Sequence, residues 1–173
     1  MRFTPVIGTL AYVLRGDDVL LVHRTFRGGD AHLGKYNGLG GKLEPGEDVV
    51  SCIRRELREE AGIEATSLRL RGTISWPGFG ADGEDWFGFV FLVDAFTGEP
   101  PSENLEGTLH WVPRARLLSG ELPLWEGDHT WLPLVFDEGV GQFHGVMPYR
   151  DGRPVDWLVT TIDEPGRGGR SPR

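Results

Sequence analysis

Cysteine is almost absent: Cys52 is the only one in 173 residues. A lone thiol forms no internal disulfide, which fits a reducing cytoplasm. No apolar run approaches the roughly 20 residues that a membrane-spanning helix needs. The start, MRFTPVIGTL, lacks the charged opening and apolar run of a secretory signal. Positive charge is scarce as well, with 18 Lys and Arg against 26 Asp and Glu and a net charge of −8. That balance argues against docking on DNA or RNA through a basic face. It leaves room for a small anionic ligand carried by a metal ion. No repeat and no internal boundary is visible. Hydrophobic residues make up 39% of the chain, enough for a globular domain with a core. The expected organisation is one domain over residues 1–163, followed by a disordered tail, 164–173, that ends in GRGGRSPR.

Glycine and proline are plentiful, and they punctuate the chain. Residues 5–15 and 19–24 read as strands joined at Gly16-Asp17-Asp18, a hairpin signal. The Gly-rich, polar stretch 25–36 reads as a loop. Residues 67–76 and 85–97 read as strands, the second rich in aromatic and β-branched residues. A short strand is expected at 108–112 and a second helix at 128–136, interrupted or started near Pro133. A closing hairpin is expected from 142–149, an Asp151-Gly152 turn and 154–162. Strands outnumber helices, so the fold class is α/β or α+β with a mixed sheet.

Residues 48–61 read as a helix, because Val49, Ile53, Leu57 and Ala61 recur at every fourth position. Gly62 stands where a helix stop belongs. On a wheel of about 100° per residue, Glu56, Glu59 and Glu60 fall within about 100° of one another. Glu60 lies almost inside the apolar stripe. Stacked like charges repel, and the C-terminal half of a helix is the wrong end for them. Arg54, Arg55 and Arg58 compensate in part, and a solvated charged face is the ordinary reading. A divalent cation resolves the conflict better, since hard cations take carboxylate oxygens, waters and substrate phosphates. The chemistry would then be metal-assisted displacement at phosphorus.

The spacing from Gly41 through Glu47 to Arg55-Glu56-Leu57-Arg58-Glu59-Glu60-Ala61-Gly62-Ile63 resembles a complete Nudix box, G-x5-E-x7-R-E-apolar-x-E-E-x-G-apolar. The resemblance implies a mixed sheet sandwiched between helices, with the box as loop–helix–loop. It implies hydrolysis of a nucleoside diphosphate linked to another group, with Mg²⁺ or Mn²⁺. On that reading Glu56, Glu59 and Glu60 ligate metal and one of them, or a neighbour, helps deprotonate water. The Gly40 carbonyl completes the coordination, Arg55 orients the carboxylates, and Glu47 braces the box. Glu106, in the loop before Thr108, supplies a further carboxylate, with Glu103 as the fallback.

Outside the box the chain is similar to MutT-type 8-oxo-dGTP diphosphatases. Asn37-Gly38-Leu39-Gly40-Gly41-Lys42 resembles their N-G-F-G-G-K, which implies that Asn37 bonds the purine; capping a turn is its other reading. The segment from Trp125 to Pro133 resembles W-x-x-D-x-x-W-x-P, which implies Trp125, Asp128 and Trp131 around the base. Trp131 also reads as core and Asp128 as a helix N-cap. Lys42 is expected to support a phosphate or the loop, and Thr9 and Arg24 to reach the pocket. His144, in a stretch that resembles K-F-H-G, reads as structural. Tyr36 replaces the usual tryptophan, Gly127-Asp128 replaces two adjacent acids, and the 25–36 loop is longer than usual. The expected partner is a small nucleotide, with no nucleic-acid polymer and no membrane. ADP-ribose, a dinucleoside polyphosphate, an unmodified dNTP or a capped RNA end are the rival substrates, and a non-catalytic nucleotide-binding module is the more distant rival.

Overall fold

A computed structural model of the chain describes residues 2–26 and 32–163. The expected tail and residues 27–31 of the long loop lie outside the described residues. The elements are β1 (Val6–Arg15), β2 (Asp18–Arg24), β3 (Tyr36–Asn37), α1 (Val49–Ala61), β4 (Glu64–Trp76), β5 (Trp86–Thr97) and β6 (Gly107–Pro113). They continue with α2 (Arg114–Leu118), α3 (Asp128–Phe136), β7 (Gln142–Val146), β8 (Tyr149–Arg150), β9 (Arg153–Pro154) and β10 (Leu158–Ile162). No helix among them is long and apolar enough to cross a membrane.

Eight strands form one mixed sheet in the order β10-β7-β4-β5-β1-β2-β3, with β6 paired to the far edge of β2. The β1–β5 and β4–β7 pairings are parallel. Strand residues alternate between two cores. Tyr12, Val19, Leu21, Val90 and Leu92 face the side covered by α2 and α3. Ala11, Val13, Leu20, Val22, Phe91 and Val93 face the side covered by α1. With both faces covered, the central strands read as continuous apolar runs rather than as clean alternation. The expected sandwich of a mixed sheet between helices is what forms.

Helix α1 is specified locally. The Asp48 carboxylate accepts the backbone N–H groups of Val50 and Ser51 at 2.8 and 3.0 Å, a side-chain N-cap. Gly62, at φ 63°, closes the other end in the left-handed conformation that glycine adopts without strain. Ile53, Leu57 and Ala61 are buried as expected, Val49 is half-buried, and Cys52 joins the stripe.

Several boundaries differ from expectation. β4 starts at Glu64, not residue 67, and carries register shifts between Ala65 and Gly72. Helix α2 was not foreseen: a five-residue turn of helix is too short to show a period. Tyr36 leaves the loop and pairs with His23. Helix α3 runs through Pro133 unbroken. The closing hairpin is interrupted: β7 pairs directly with β10, and residues 147–157 leave the sheet. Pro148 brings no N–H to a ladder, while the neighbouring Met147 and Tyr149 N–H groups bond the carbonyls of Ser75 and Pro77. The Asp151-Gly152 turn forms, both residues at positive φ, but it joins only the two-residue strands β8 and β9.

Arg71 is buried, 1% exposed. Its guanidinium donates to the carbonyls of Leu134, Val135, Asp137 and Val140 at 2.9–3.2 Å. A cation therefore sits at the C-terminus of α3, where the carbonyls lack helical partners and the dipole favours positive charge. This clamp ties α3 to β4. Arg71→Met should destabilise the fold by about 2–4 kcal/mol, since several buried acceptors lose their donor. Chemical denaturation measures it, and a loss below about 0.5 kcal/mol would contradict the clamp.

Candidate active site

β1 and β2 pair only from Val13 to Arg15. Beyond that point they diverge, and the Gly38–Lys42 segment enters the gap, bridging Ala11 to Leu39 and Gly8 to Lys42. The segment then leads through Pro45 to α1, so the glycine-rich loop lies over the sheet beside the helix. Backbone approaches leave no room for a side chain at two of its positions. A Cβ on Gly38 would run into the Ala11 carbonyl and one on Gly40, which has φ 151°, into the Thr9 carbonyl, while one on Gly41 would displace the Glu56 carboxylate.

Arg55 organises the acidic helix. Its Nε and Nη2 donate to the two oxygens of Glu47 at 2.8 and 3.0 Å, a bidentate pair. Its Nη1 donates to Glu56 at 2.8 Å and to Glu59 at 3.3 Å. This guanidinium holds the Glu47 carboxyl down at about 2. Glu60 is treated differently. Its carboxylate accepts the Gly40 N–H at 3.0 Å, but burial first, and then the nearby Glu106 charge, push its pKa up to about 8. Burial also raises Glu56, opposed by Arg55. Glu106 reaches the same place from the loop before β6, and its carboxylate accepts a short hydrogen bond from Arg24 Nη1 on β2.

Glu56, Glu60, Glu106 and Arg24 line a cavity of about 540 Å³. Asn37, Trp125, Asp128 and Trp131 line the same cavity. The volume lies in the range of small-molecule sites. Eleven of the expected site residues line it: Thr9, Arg24, Asn37, Gly40, Lys42, Glu56, Glu60, Glu106, Trp125, Asp128 and Trp131. Arg55 and Glu59 do not. Arg55 bonds Glu56 and Glu59 outside the cavity lining, and the Glu59 side chain is 59% exposed.

The alternative readings sort themselves by geometry. Asn37 caps no turn, and its buried Nδ2 has no protein partner. Asp128 is not an N-cap, because it is the first helical residue and makes no capping bond. Burial raises the Asp128 carboxyl to about 7. The adjacent Trp131 N–H offsets this slightly without making a hydrogen bond of regular geometry. Trp131 is indeed core, packed edge-on to Tyr12 and Trp76, and it backs the cavity as well. Thr9 turns its hydroxyl toward the Gly41 carbonyl and Cys52 Sγ. Lys42 lies over the Trp86 ring, its Nζ 5.2 Å from the centroid. His144 bonds Thr73 and stays away from the cavity.

Other lining residues escaped the sequence reading. Phe79 packs against Trp125 and Tyr149 with ring centroids 5.1 and 5.0 Å apart. Trp125 Nε1 donates to His32 Nδ1 at 2.8 Å, and the Lys35 ammonium lies over the Trp125 ring at 4.6 Å. Trp86 completes the aromatic wall. The one available signal was the aromatic-rich PGFG turn beside a strand that opens on Trp86. The long loop is pinned at its neck, where Arg24 N–H bonds the Lys35 carbonyl and Gly34 N–H bonds the Arg24 carbonyl.

The donors around the carboxylates are all oxygens. The carbonyls flanking Gly40, those of Leu39 and Gly41, are taken by the N–H groups of Ala11 and Thr9. Among the described residues no group of three or more His, Cys, Asp or Glu side chains is arranged to hold a metal ion by itself. An open site with a few carboxylates suits a hard cation that keeps waters and phosphate oxygens as its other ligands. Charge points the same way: Glu60 carries a repulsion from Glu106 and Glu56 that a cation would relieve. The residues present therefore suit a hard divalent cation that takes its other ligands from water and phosphate.

Comparison with known proteins agrees with this architecture. Residues 4–135 match the NUDIX domain. The chain is 34% identical over 142 residues to an uncharacterized Nudix hydrolase, YvcI, of Bacillus subtilis, covering 79% of this chain and 83% of that one. It is 33% identical over 136 residues to an oxidized purine nucleoside triphosphate hydrolase of zebrafish (Danio rerio), with the same coverage, 79% and 83%. The crystal structure of a MutT protein from Bacillus halodurans superimposes with a TM-score of 0.75 at 26% identity, covering 89% of this chain and 97% of that one. With the box complete and the sheet, loop and helix arranged around it, the chain belongs to the Nudix family of hydrolases, which act on phosphorus-containing anhydrides.

Proposed function

We propose that this Nudix hydrolase cleaves purine nucleoside triphosphates carrying an oxidised base, such as 8-oxo-dGTP, to the monophosphate and pyrophosphate. The observation that carries the reading is one cavity lined by two chemically distinct groups of residues. One is the carboxylates of Glu56, Glu60 and Glu106, and the other is Asn37, Trp125 and Asp128. A phosphate chain suits the first and a purine the second. Asn37 offers an unpaired donor to a base edge, and a carboxyl raised to about 7 can donate from Asp128 as well as accept. The aromatic wall of Trp125, Phe79 and Trp86 gives the base a stacking surface. The name of the zebrafish relative supports the same substrate class.

Glu56, Glu60, Glu106 and the Gly40 carbonyl would hold Mg²⁺ or Mn²⁺, with Glu59 on the same helix as Glu56. The cation, when bound, polarises phosphoryl oxygens and lowers the pKa of water. Arg55 holds Glu56 in place, and Lys42 stands where it can meet a phosphate. A carboxylate of the cluster accepts the proton of the attacking water. The new bond joins water oxygen to phosphorus, and the phosphorus–oxygen bond to pyrophosphate breaks. The role we assign is nucleotide-pool sanitation in the cytoplasm, with a free nucleotide rather than a nucleic-acid polymer as partner.

Glu60→Gln and Glu56→Gln should each lower turnover by about two orders of magnitude or more while the fold persists. Wild-type rates at saturating Mg²⁺ would remove the carboxylates from the chemistry. Side-by-side kinetics with 8-oxo-dGTP, dGTP and ADP-ribose test the substrate. Asp128→Asn should reduce kcat/KM for 8-oxo-dGTP by about tenfold. ADP-ribose as the best of the three would overturn the assignment.

The raised carboxyls also set a pH dependence. Glu60 and Asp128 hold their protons more tightly folded than unfolded, where carboxyls titrate at roughly 4. Their contribution is therefore full at pH 4 and is lost as pH rises toward about 8 and about 7 respectively. In chelator, the urea midpoint should fall between pH 5 and pH 8. Mg²⁺ or Glu60→Gln should flatten that fall, and a midpoint that rises over this interval would contradict the burial of Glu60.

A further inference from the structure

Asn104 lies in the loop between β5 and β6, two residues before Glu106, and no motif marks it. Its carboxamide makes three hydrogen bonds. Nδ2 donates to the backbone carbonyl of Glu60 at 3.2 Å. Oδ1 accepts the N–H of Glu106 at 2.8 Å and that of Gly107 at 3.1 Å. Two backbone donors require the oxygen and a carbonyl requires the NH₂, so the amide has one consistent orientation. A single side chain thus joins the last turn of α1, at Glu60, to the peptide that carries Glu106.

Each joined residue is held from its other side as well. The Glu60 carboxylate takes the Gly40 N–H, and the Glu106 carbonyl takes the Thr25 and Phe26 N–H groups at 3.3 Å. A Cβ on Gly107 would run into the His23 carbonyl, which leaves the loop little room to slide toward β2. Those other bonds fix Glu106 to the end of β2 and Glu60 to the Gly40 loop, whereas the bond that sets the Glu106 loop against α1 is made by the Asn104 amide. The loop does not need the bridge to fold, because the Asn104 N–H bonds the Gly107 carbonyl and the Leu109 N–H bonds the Ser102 carbonyl, each at 2.9 Å.

We propose that Asn104 is a positioning residue that sets the spacing of Glu60 and Glu106, and through it the affinity of the site for a divalent cation. This rests on reading these carboxylates as the cation site, and it extends that reading to a residue that touches neither cation nor substrate. Outer partners of metal ligands commonly change affinity by about 10–100-fold when removed.

The test is Mn²⁺ binding to the full chain without nucleotide, followed by electron paramagnetic resonance, with the thermal midpoint in chelator recorded alongside. Asn104→Ala removes all three bonds. Asn104→Ser keeps a hydroxyl able to accept from the Glu106 N–H but cannot reach Glu60. Both should bind Mn²⁺ about tenfold more weakly than wild type, as should Glu106→Gln, with midpoints within a few degrees of wild type. Higher Mn²⁺ should restore turnover in both Asn104 variants. Should Asn104→Ala fail to fold, Asn104→Ser decides. Wild-type Mn²⁺ affinity in Asn104→Ser beside weakened Glu106→Gln overturns the positioning role and leaves the site reading intact. A weakened Asn104→Ser whose midpoint collapses in parallel overturns it too. Absence of Mn²⁺ binding in the wild type overturns the site reading itself.

Discussion

Glu60 is a carboxylate placed where carboxylates are costly: partly buried, near the C-terminal end of a helix, and facing Glu106 and Glu56. One neutral N–H, from Gly40, is its hydrogen-bond partner. Much of the surrounding structure serves to keep it there. Arg55 draws Glu47, Glu56 and Glu59 together, so that part of the charge is already matched. The Glu56 carboxylate lies in the space that a side chain at Gly41 would enter. A folded protein tolerates such an arrangement when a ligand supplies the missing charge, as strained and destabilised sites are tolerated for function.

The sheet brings the two groups of lining residues together by a simple device. β1 and β2 separate after three paired positions, and the space between them admits the 38–42 segment. One side of that segment meets α1 and its acids. Its start, Asn37, is held in register by pairing with Val22. Asp128 arrives from far along the chain on α3, anchored to β4 by Arg71. Strand β3 and helix α3 thus hold Asn37 and Asp128 in the cavity wall.

How much of this was legible in the sequence depended on whether the signal was local. Helix α1 announces itself through its period and Gly62, within fifteen residues, while the Asp48 cap shows only in the structure. The box spacing and the Asn37 and Trp125–Pro133 segments point to residues that the fold does gather around one cavity. Phe79, Trp86, Tyr149 and His32 were not legible, because their shared wall exists only after β4, β5 and the late excursion have packed. The late hairpin was misread for a related reason. Apolar alternation there is real, but Pro148 and the bonds of Met147 and Tyr149 to the end of β4 outweigh local pairing. Asn104 carries no pattern at all, since its meaning lies in two backbone segments more than forty residues apart.

The fastened neck of the long loop has a consequence for how this scaffold can vary. Arg24, Gly34 and Lys35 hold the two stems together by main-chain bonds, and these do not depend on which side chains lie between them. Closing a loop of twice the length costs only about 0.6 kcal/mol more. Insertions and deletions between Phe26 and His32 can therefore accumulate while Asn37 keeps its register. The hinge-free stem makes the loop a cheap place for related sequences to diverge in length, and a convenient one for grafting a reporter peptide beside the cavity.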